Sequence, residues 1–371
     1  MYKFNLKNEQ FRCQIYPLLE YVKGNKMNEK GINGGPLNFS KVFNFFPSYP
    51  FNFWEHSFII KHSHCHRKDK TIMRIRNPGK VRERLWFFGR EESGIYLLEG
   101  NDESMILSGG MSYIMPDLLQ QFKEFGIDEK RIKKLLILHA HFDHVGIVPF
   151  FKRRHPRLEV YASQRGWEIL QMEKAIDTIN EFSRRVTNRM GKEEVYSTYD
   201  LDWRDDVVGK TVCEGDRIDL GGLEVTLLET PGHSSCCIAA YVPEFKALFP
   251  TDGGGIPFDK TIVTSGNSNY TKYQQSLERL KTLEVEYYCA DHYGYVTGEE
   301  ARKFIPRTIE IARQLRSRME EAYRSTKDID LAAQKLISSF YDENSDYFLS
   351  PEIFLDVYRQ MVRHIANVME G

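Results

Sequence analysis

The strongest constraint on the fold is the segment Leu138-His139-Ala140-His141-Phe142-Asp143-His144, which directly follows the apolar run Leu135-Leu136-Ile137. An uninterrupted apolar run of this length reads as a strand covered on both faces. Side chains two apart on an extended backbone share a face, so His139, His141 and Asp143 can converge at the strand's end. His144 enters the following turn and can approach from another direction. Three imidazoles and a carboxylate so close together form a donor set suited to zinc, iron or manganese. Burying them without a shared partner would be costly, which argues against a packing role.

Three further candidates each follow an apolar strand. His233 comes after the Pro231-Gly232 turn that ends Leu228-Glu229-Thr230. Asp252 sits on the glycine-rich stretch Pro250-Thr251-Asp252-Gly253-Gly254, and His292 lies in Ala290-Asp291-His292-Tyr293-Gly294. Each alone is no better than a turn residue. Their ordered combination is far more specific.

With these residues in this order, the chain resembles the metallo-β-lactamase superfamily of hydrolases, whose signature is HxHxDH. The likeness covers about residues 83–371 and leaves 1–72 unmatched. It implies an α/β fold, an αββα sandwich with a helical C-terminal extension and a site at one edge between the sheets. It also implies two divalent metal ions, zinc or iron. His139, His141 and His233 would hold one, Asp143, His144 and His292 the other, with Asp252 bridging and Asp143 and Asp252 as the catalytic carboxylates. Two departures stand out. Where relatives commonly carry an Asp that supports a ligand, this chain reads Leu107-Ser108-Gly109, which brings no charge. Asp291 replaces a small residue before the last ligand and reads as a turn residue.

The resemblance implies hydrolysis by a metal-bound hydroxide, which suits small acyl thioesters, esters or lactones. Histidine at 141, where the redox diiron branch typically has Glu, favours hydrolysis over redox chemistry. In organisation the chain is similar to the quinolone-signal-biosynthesis thioesterase group, through Tyr161-Ala162-Ser163 and its long helix, the ETPGHSS segment and the TDGG loop. Ile256 stands where that group has an acidic residue, so the acyl group is expected to differ. Alternatives are a phosphodiesterase, or a weakly catalytic metal-binding protein acting through its C-terminal helices. Tyr270, Tyr293 and Tyr295 are candidate pocket aromatics, with core or surface packing the expected role for each.

Charge divides the chain. Residues 1–80 carry 14 Lys and Arg against 5 Asp and Glu, whereas the other 291 residues carry 37 against 47. The acidic part is unhelpful to phosphate backbones, so nucleic acid is not an expected partner. The expected partner is a small acyl substrate, with a homodimer left open. No run is long and apolar enough for a membrane span, and the amino terminus lacks a signal-peptide layout, so a cytoplasmic location is expected. Residues 1–72 read as a basic, Asn- and Phe-rich, weakly ordered extension without regular pattern, the other readings being an extra module or a start placed too early, with Met73 as the natural one. The extension's His56, His62, His64, Cys65 and His66 match no standard zinc spacing. Residues 73–298 read as the catalytic domain and 299–371 as a helical cap. The six cysteines form no CxxC pair, which fits a reduced state. Within this frame the pattern predicts one long helix over 164–190 and a connecting loop over 191–210.

Overall fold

The computed structural model describes residues 74–259 and 261–371. The extension 1–72, its histidine cluster and Met73 lie outside the described residues. Two large sheets form the frame. The first orders its strands as they occur in the chain: β1 (Gly79–Arg82), β2 (Leu85–Arg90), β3 (Ser93–Glu99), β4 (Ser104–Leu107), β5 (Ile132–Leu136), β6 (Glu159–Ser163) and β7 (Lys210–Val212). The first four run antiparallel, and β4 to β7 run parallel. The chain then adds β8 (Arg217–Asp219), β9 (Glu224–Glu229), β10 (Ile238–Val242), β11 (Ala247–Phe249), the ribbon β12 (Ile256–Phe258) and β13 (Thr261–Val263), then β14 (Tyr287–Cys289) and β15 (Tyr295–Thr297). The second sheet has the order β15-β14-β11-β10-β9-β8, with β11 and β14 parallel.

Alternation along the strands builds the layers. Phe88, Ile95, Leu97 and Ile106 face helices α1 (Met115–Glu124), α2 (Val148–Arg154), α3 (Gln164–Leu170) and α4 (Glu173–Arg189). Their neighbours Phe87, Tyr96, Leu98 and Leu107 face inward and meet Val225, Leu227, Ile238 and Phe249 of the second sheet. Beyond a short α5 (Val195–Thr198), the outer face of the second sheet is covered by α6 (Tyr270–Leu280), α7 (Gly298–Thr326), α8 (Ile329–Glu343) and α9 (Pro351–Glu370). The stack is helices, sheet, sheet, helices, the αββα sandwich expected from the sequence.

The single helix expected over 164–190 is two. Met172 adopts an extended conformation (φ −80°, ψ 122°) between α3 and α4. The Trp203 indole donates to the freed Leu170 carbonyl at 2.9 Å, which satisfies a helix end that would otherwise be bare. Asn180 in turn brackets the Trp203 backbone at 2.8 and 3.0 Å. The polar stretch after α4 is thereby tied down around a buried tryptophan. Among the described residues, no helix is long and apolar enough to cross a membrane.

The C-terminal helices share one apolar cluster with the second sheet, where Phe304, Ile309 and Met361 join Ala239, Leu248 and Val296. On α9, Phe354, Tyr358, Met361, Val362 and Ile365 recur at helical spacing and all are buried. At about 2 kcal/mol for each side chain, the helix contributes roughly 10 kcal/mol, as much as a typical domain's net stability. A chain ending at residue 350 is therefore expected to be insoluble on expression. Recovery of soluble truncated protein with an unchanged melting temperature would contradict this packing.

Candidate metal centre

All seven expected donors lie just past the C-terminal ends of strands: His139, His141, Asp143 and His144 after β5, His233 after β9, Asp252 after β11 and His292 after β14. The fold gathers them into two groups, His139 with His141 and His233, and Asp143 with His144, Asp252 and His292. Within each group the donor atoms all lie within 4.8 Å of one another. The period-two expectation holds for His139 and His141 but not for Asp143. The chain is still extended at His141 (φ −78°, ψ 152°), then tightens into a 3₁₀ turn over Phe142–His144. That turn carries Asp143 away from the first two histidines and into the group of His144.

The other donors also depend on unusual backbone. Gly232 has φ +137°, and a Cβ there would sit 2.2 Å from the Tyr273 nitrogen of α6. The Gly232 carbonyl accepts from the Ser268 and Asn269 backbone amides, each at 3.0 Å, so the turn that delivers His233 is pinned to the start of α6. Thr251 precedes Asp252 with φ +48°, and Ser108 has φ +70°. Such values are strained for residues other than glycine, most of all for a β-branched one, and mark positions held by their surroundings.

The two groups meet at Asp252. Its Oδ2 is 3.4 Å from His233 Nε2 and 3.4 Å from His144 Nε2, and its Oδ1 is 3.6 Å from His292 Nε2. His233 Nε2 lies 3.1 Å from His141 Nδ1, and His292 Nε2 lies 3.1 Å from His144 Nε2. Burial pushes the imidazoles of His139, His141 and His233 down, to about 3 for His141. Neutral imidazole is the form that ligates a metal. For His144 and His292 burial acts the same way, but the Asp252 and Asp143 carboxylates outweigh it and raise both. Burial favours the neutral acids, yet the His144 and His292 rings hold Asp143 at about 2 and Asp252 well below the usual carboxylate range.

The backs of the rings are anchored too. His233 Nδ1 lies 2.8 Å from the Ser265 carbonyl, and His292 Nδ1 lies 2.6 Å from the Glu92 carbonyl. His144 Nδ1 is 2.8 Å from Asp291 Oδ2. Asp291 is thus no turn residue: it is 2% exposed and takes hydrogen bonds from the Ser108 and Thr251 hydroxyls at 3.0 and 2.8 Å. The sequence reading missed it because its partners are far away in the chain. The available signal was paired, an acid beside a ligand and a Ser108 without the expected charge.

Three buried atoms in the site, His139 Nε2, Asp252 Oδ1 and Asp291 Oδ1, have no hydrogen-bond partner. Orphaned acceptors are expensive unless something else fills their coordination. Five histidines, two carboxylates and these bare atoms fit divalent metal ions. Cover comes from two directions. Phe142 packs on Phe182 of α4 with ring centroids 5.6 Å apart, and Phe348 of the α8–α9 loop stacks on His292 at 4.6 Å. Behind Phe348 opens a cavity of about 440 Å³, lined also by Met111, Tyr113, Phe258 and Tyr293. Tyr293 therefore faces this cavity and accepts from the Phe348 amide at 3.0 Å. Tyr270 and Tyr295 are core residues, as expected. Cys236, Cys237 and Cys289 are buried free thiols.

Known proteins agree with this geometry. The sequence profile of the metallo-beta-lactamase superfamily matches residues 89–292, which contain all seven donors. The hydroxyacylglutathione hydrolase of Idiomarina loihiensis is 25% identical over 267 residues, covering 69% of this chain and 85% of that protein. The human acyl-coenzyme A thioesterase MBLAC2 is 25% identical over 221 residues, covering 55% of this chain and 72% of its own length. The metallo-beta-lactamase family protein TTHA1429 from Thermus thermophilus superposes with a TM-score of 0.56 at 17% identity, over 79% of this chain and 95% of that one, which bears on the fold alone. By this profile match, this chain belongs to the metallo-beta-lactamase superfamily of hydrolases.

Proposed function

We propose that the chain hydrolyses acyl thioesters, using two divalent metal ions held by the seven donors. One observation carries the reading: a single buried carboxylate, Asp252, faces both donor groups at 3.4 Å, beside a cavity lined by both apolar and charged side chains. His139, His141 and His233 would hold one ion, and Asp143, His144 and His292 the other, with Asp252 between them. A metal pair there would lower the pKa of a water and polarise a carbonyl oxygen. The protein's own part is positional. Ser265 and Glu92 carbonyls fix the ring planes of His233 and His292, and Phe142 and Phe348 keep bulk water from the donors. Met111, Phe258 and Phe348 offer apolar surface to an acyl chain.

A thioester suits this site because a thiolate leaves without help from a general acid. The names of two relatives, hydroxyacylglutathione hydrolase and acyl-coenzyme A thioesterase, support the same class. The test is a panel of acyl-coenzyme A and acylglutathione thioesters, a lactone and a chromogenic phosphodiester, run on the full chain with its metal content measured. Thioesters should turn over fastest, with about two ions per chain. His141→Ala should lower kcat/KM by at least about a hundredfold, since loss of mere supporting contacts already costs ten- to a hundredfold. Faster cleavage of the phosphodiester, or full activity without metal, would overturn the proposal.

A further inference from the structure

We infer that Asp291 is the positioning carboxylate of this site, orienting one histidine from each donor group through a single oxygen. Oδ2 of Asp291 gathers three partners: His144 Nδ1 at 2.8 Å, the Thr251 hydroxyl at 2.8 Å and the Ser108 hydroxyl at 3.0 Å. With the His144 proton on Nδ1, its Nε2 lone pair is turned toward Asp252 and His292, the direction a ligand needs. The second link runs through Thr251. Its hydroxyl donates to Asp291 and so accepts from His139 Nδ1, 3.1 Å away. That fixes the His139 proton on Nδ1 as well and bares Nε2, the buried nitrogen without a partner.

The backbone supports the assignment independently. Ser108, Thr251 and Tyr293, which hold or follow Asp291, all have positive φ, between 48° and 70°. Strain at three residues around one buried carboxylate indicates an arrangement kept for what it does. The remaining histidine anchors are uncharged: the Ser265 carbonyl and hydroxyl behind His233 and the Glu92 carbonyl behind His292. Asp291 is therefore the charged anchor among them, and it reaches His144, which follows β5, from the far end of β14 in the opposite sheet.

Ser108 Oγ and Asp291 Oδ2 are 3.0 Å apart, so a carboxylate placed at position 108 can occupy nearly the same volume. Aspartate also tolerates the left-handed backbone of Ser108 better than most residues. This makes a charge transposition the decisive experiment, and it rests on the proposal that the two groups hold metals. Full-length wild type, D291A, S108D and S108D/D291A would be titrated with zinc against a chelator and loaded with cobalt(II) for visible absorption. D291A should weaken the second ion by about 10–100-fold and alter the cobalt band. S108D alone, with two buried carboxylates in contact, should also weaken it. The double variant should recover to within a few-fold of wild type, with the wild-type cobalt band. A D291A protein with wild-type affinities and spectrum, or a double variant no better than D291A, overturns the inference while leaving the metal proposal standing. A wild type that binds neither zinc nor cobalt overturns both.

Discussion

Replacing Asp252 by alanine should reduce thioester hydrolysis at least about a thousandfold, roughly 4 kcal/mol of barrier, and lower the bound metal from about two ions to one or none. The expectation follows from where this side chain stands. Its Oδ2 is equidistant, at 3.4 Å, from a nitrogen of each donor group, and its Oδ1 has no hydrogen-bond partner of its own. No other donor faces both groups in this way among the described residues. Alanine would also leave the raised His144 and His292 rings with Asp143 as their remaining close carboxylate in the group. Asp252→Asn, which keeps the shape and loses the charge, should fall between the two. The measurements are kcat/KM on an acyl thioester and metal per chain after dialysis. An alanine variant within tenfold of wild type, still holding two ions, would show that Asp252 is not shared.

The second large effect concerns the backbone. Gly232→Ala should either abolish soluble expression or lower the melting temperature by roughly 6–12 °C. The residue has φ +137°, where an L side chain is strained, and the added Cβ would lie 2.2 Å from the Tyr273 nitrogen and 2.3 Å from its Cα. Both obstacles are main chain, so no side chain can swing aside. Overpacking and strained φ each cost about 1–3 kcal/mol, which together give about 3 kcal/mol or more. In a domain of about 250 residues each kcal/mol shifts the midpoint by roughly 2–4 °C. Gly126→Ala is the control: its φ is +69°, but nothing lies within 4 Å of the added atom, so the cost is confined to the backbone. Equal melting temperatures for the two variants would contradict the role assigned to the turn.

The ligand set was legible because most of it is local. Six consecutive residues, 139–144, hold four of the seven donors, and the other three each close an apolar strand. What periodicity could not reveal was the partition between groups. A strand rule places Asp143 with His139 and His141, and only the tight turn at Phe142 reassigns it. Asp291 was misread for a different reason. Ser108 is 183 residues away and Thr251 is 40, so nothing nearby in sequence marks the carboxylate as buried. The strand pattern gave a strand-rich α/β chain with C-terminal helices, and the sandwich itself was implied by the family resemblance that the donor residues carry. The three-residue strands β12 and β13 are too short to leave a period, and the break before α4 depends on Trp203, a tertiary partner 33 residues from the carbonyl it caps.

Phe348 has a consequence for ligand affinity. One ring lies against His292 and also lines the cavity, so under the proposed function a molecule entering the cavity would press on a residue assigned to the second metal ion. Occupancy of the two places is then linked, and thermodynamic reciprocity makes the linkage symmetric. Whatever factor an acyl compound applies to metal affinity, metal must apply to the affinity for that compound. If both proposals hold, dissociation constants measured on demetallated protein should differ from those of the loaded form by the same factor that metal titrations with and without the acyl compound give.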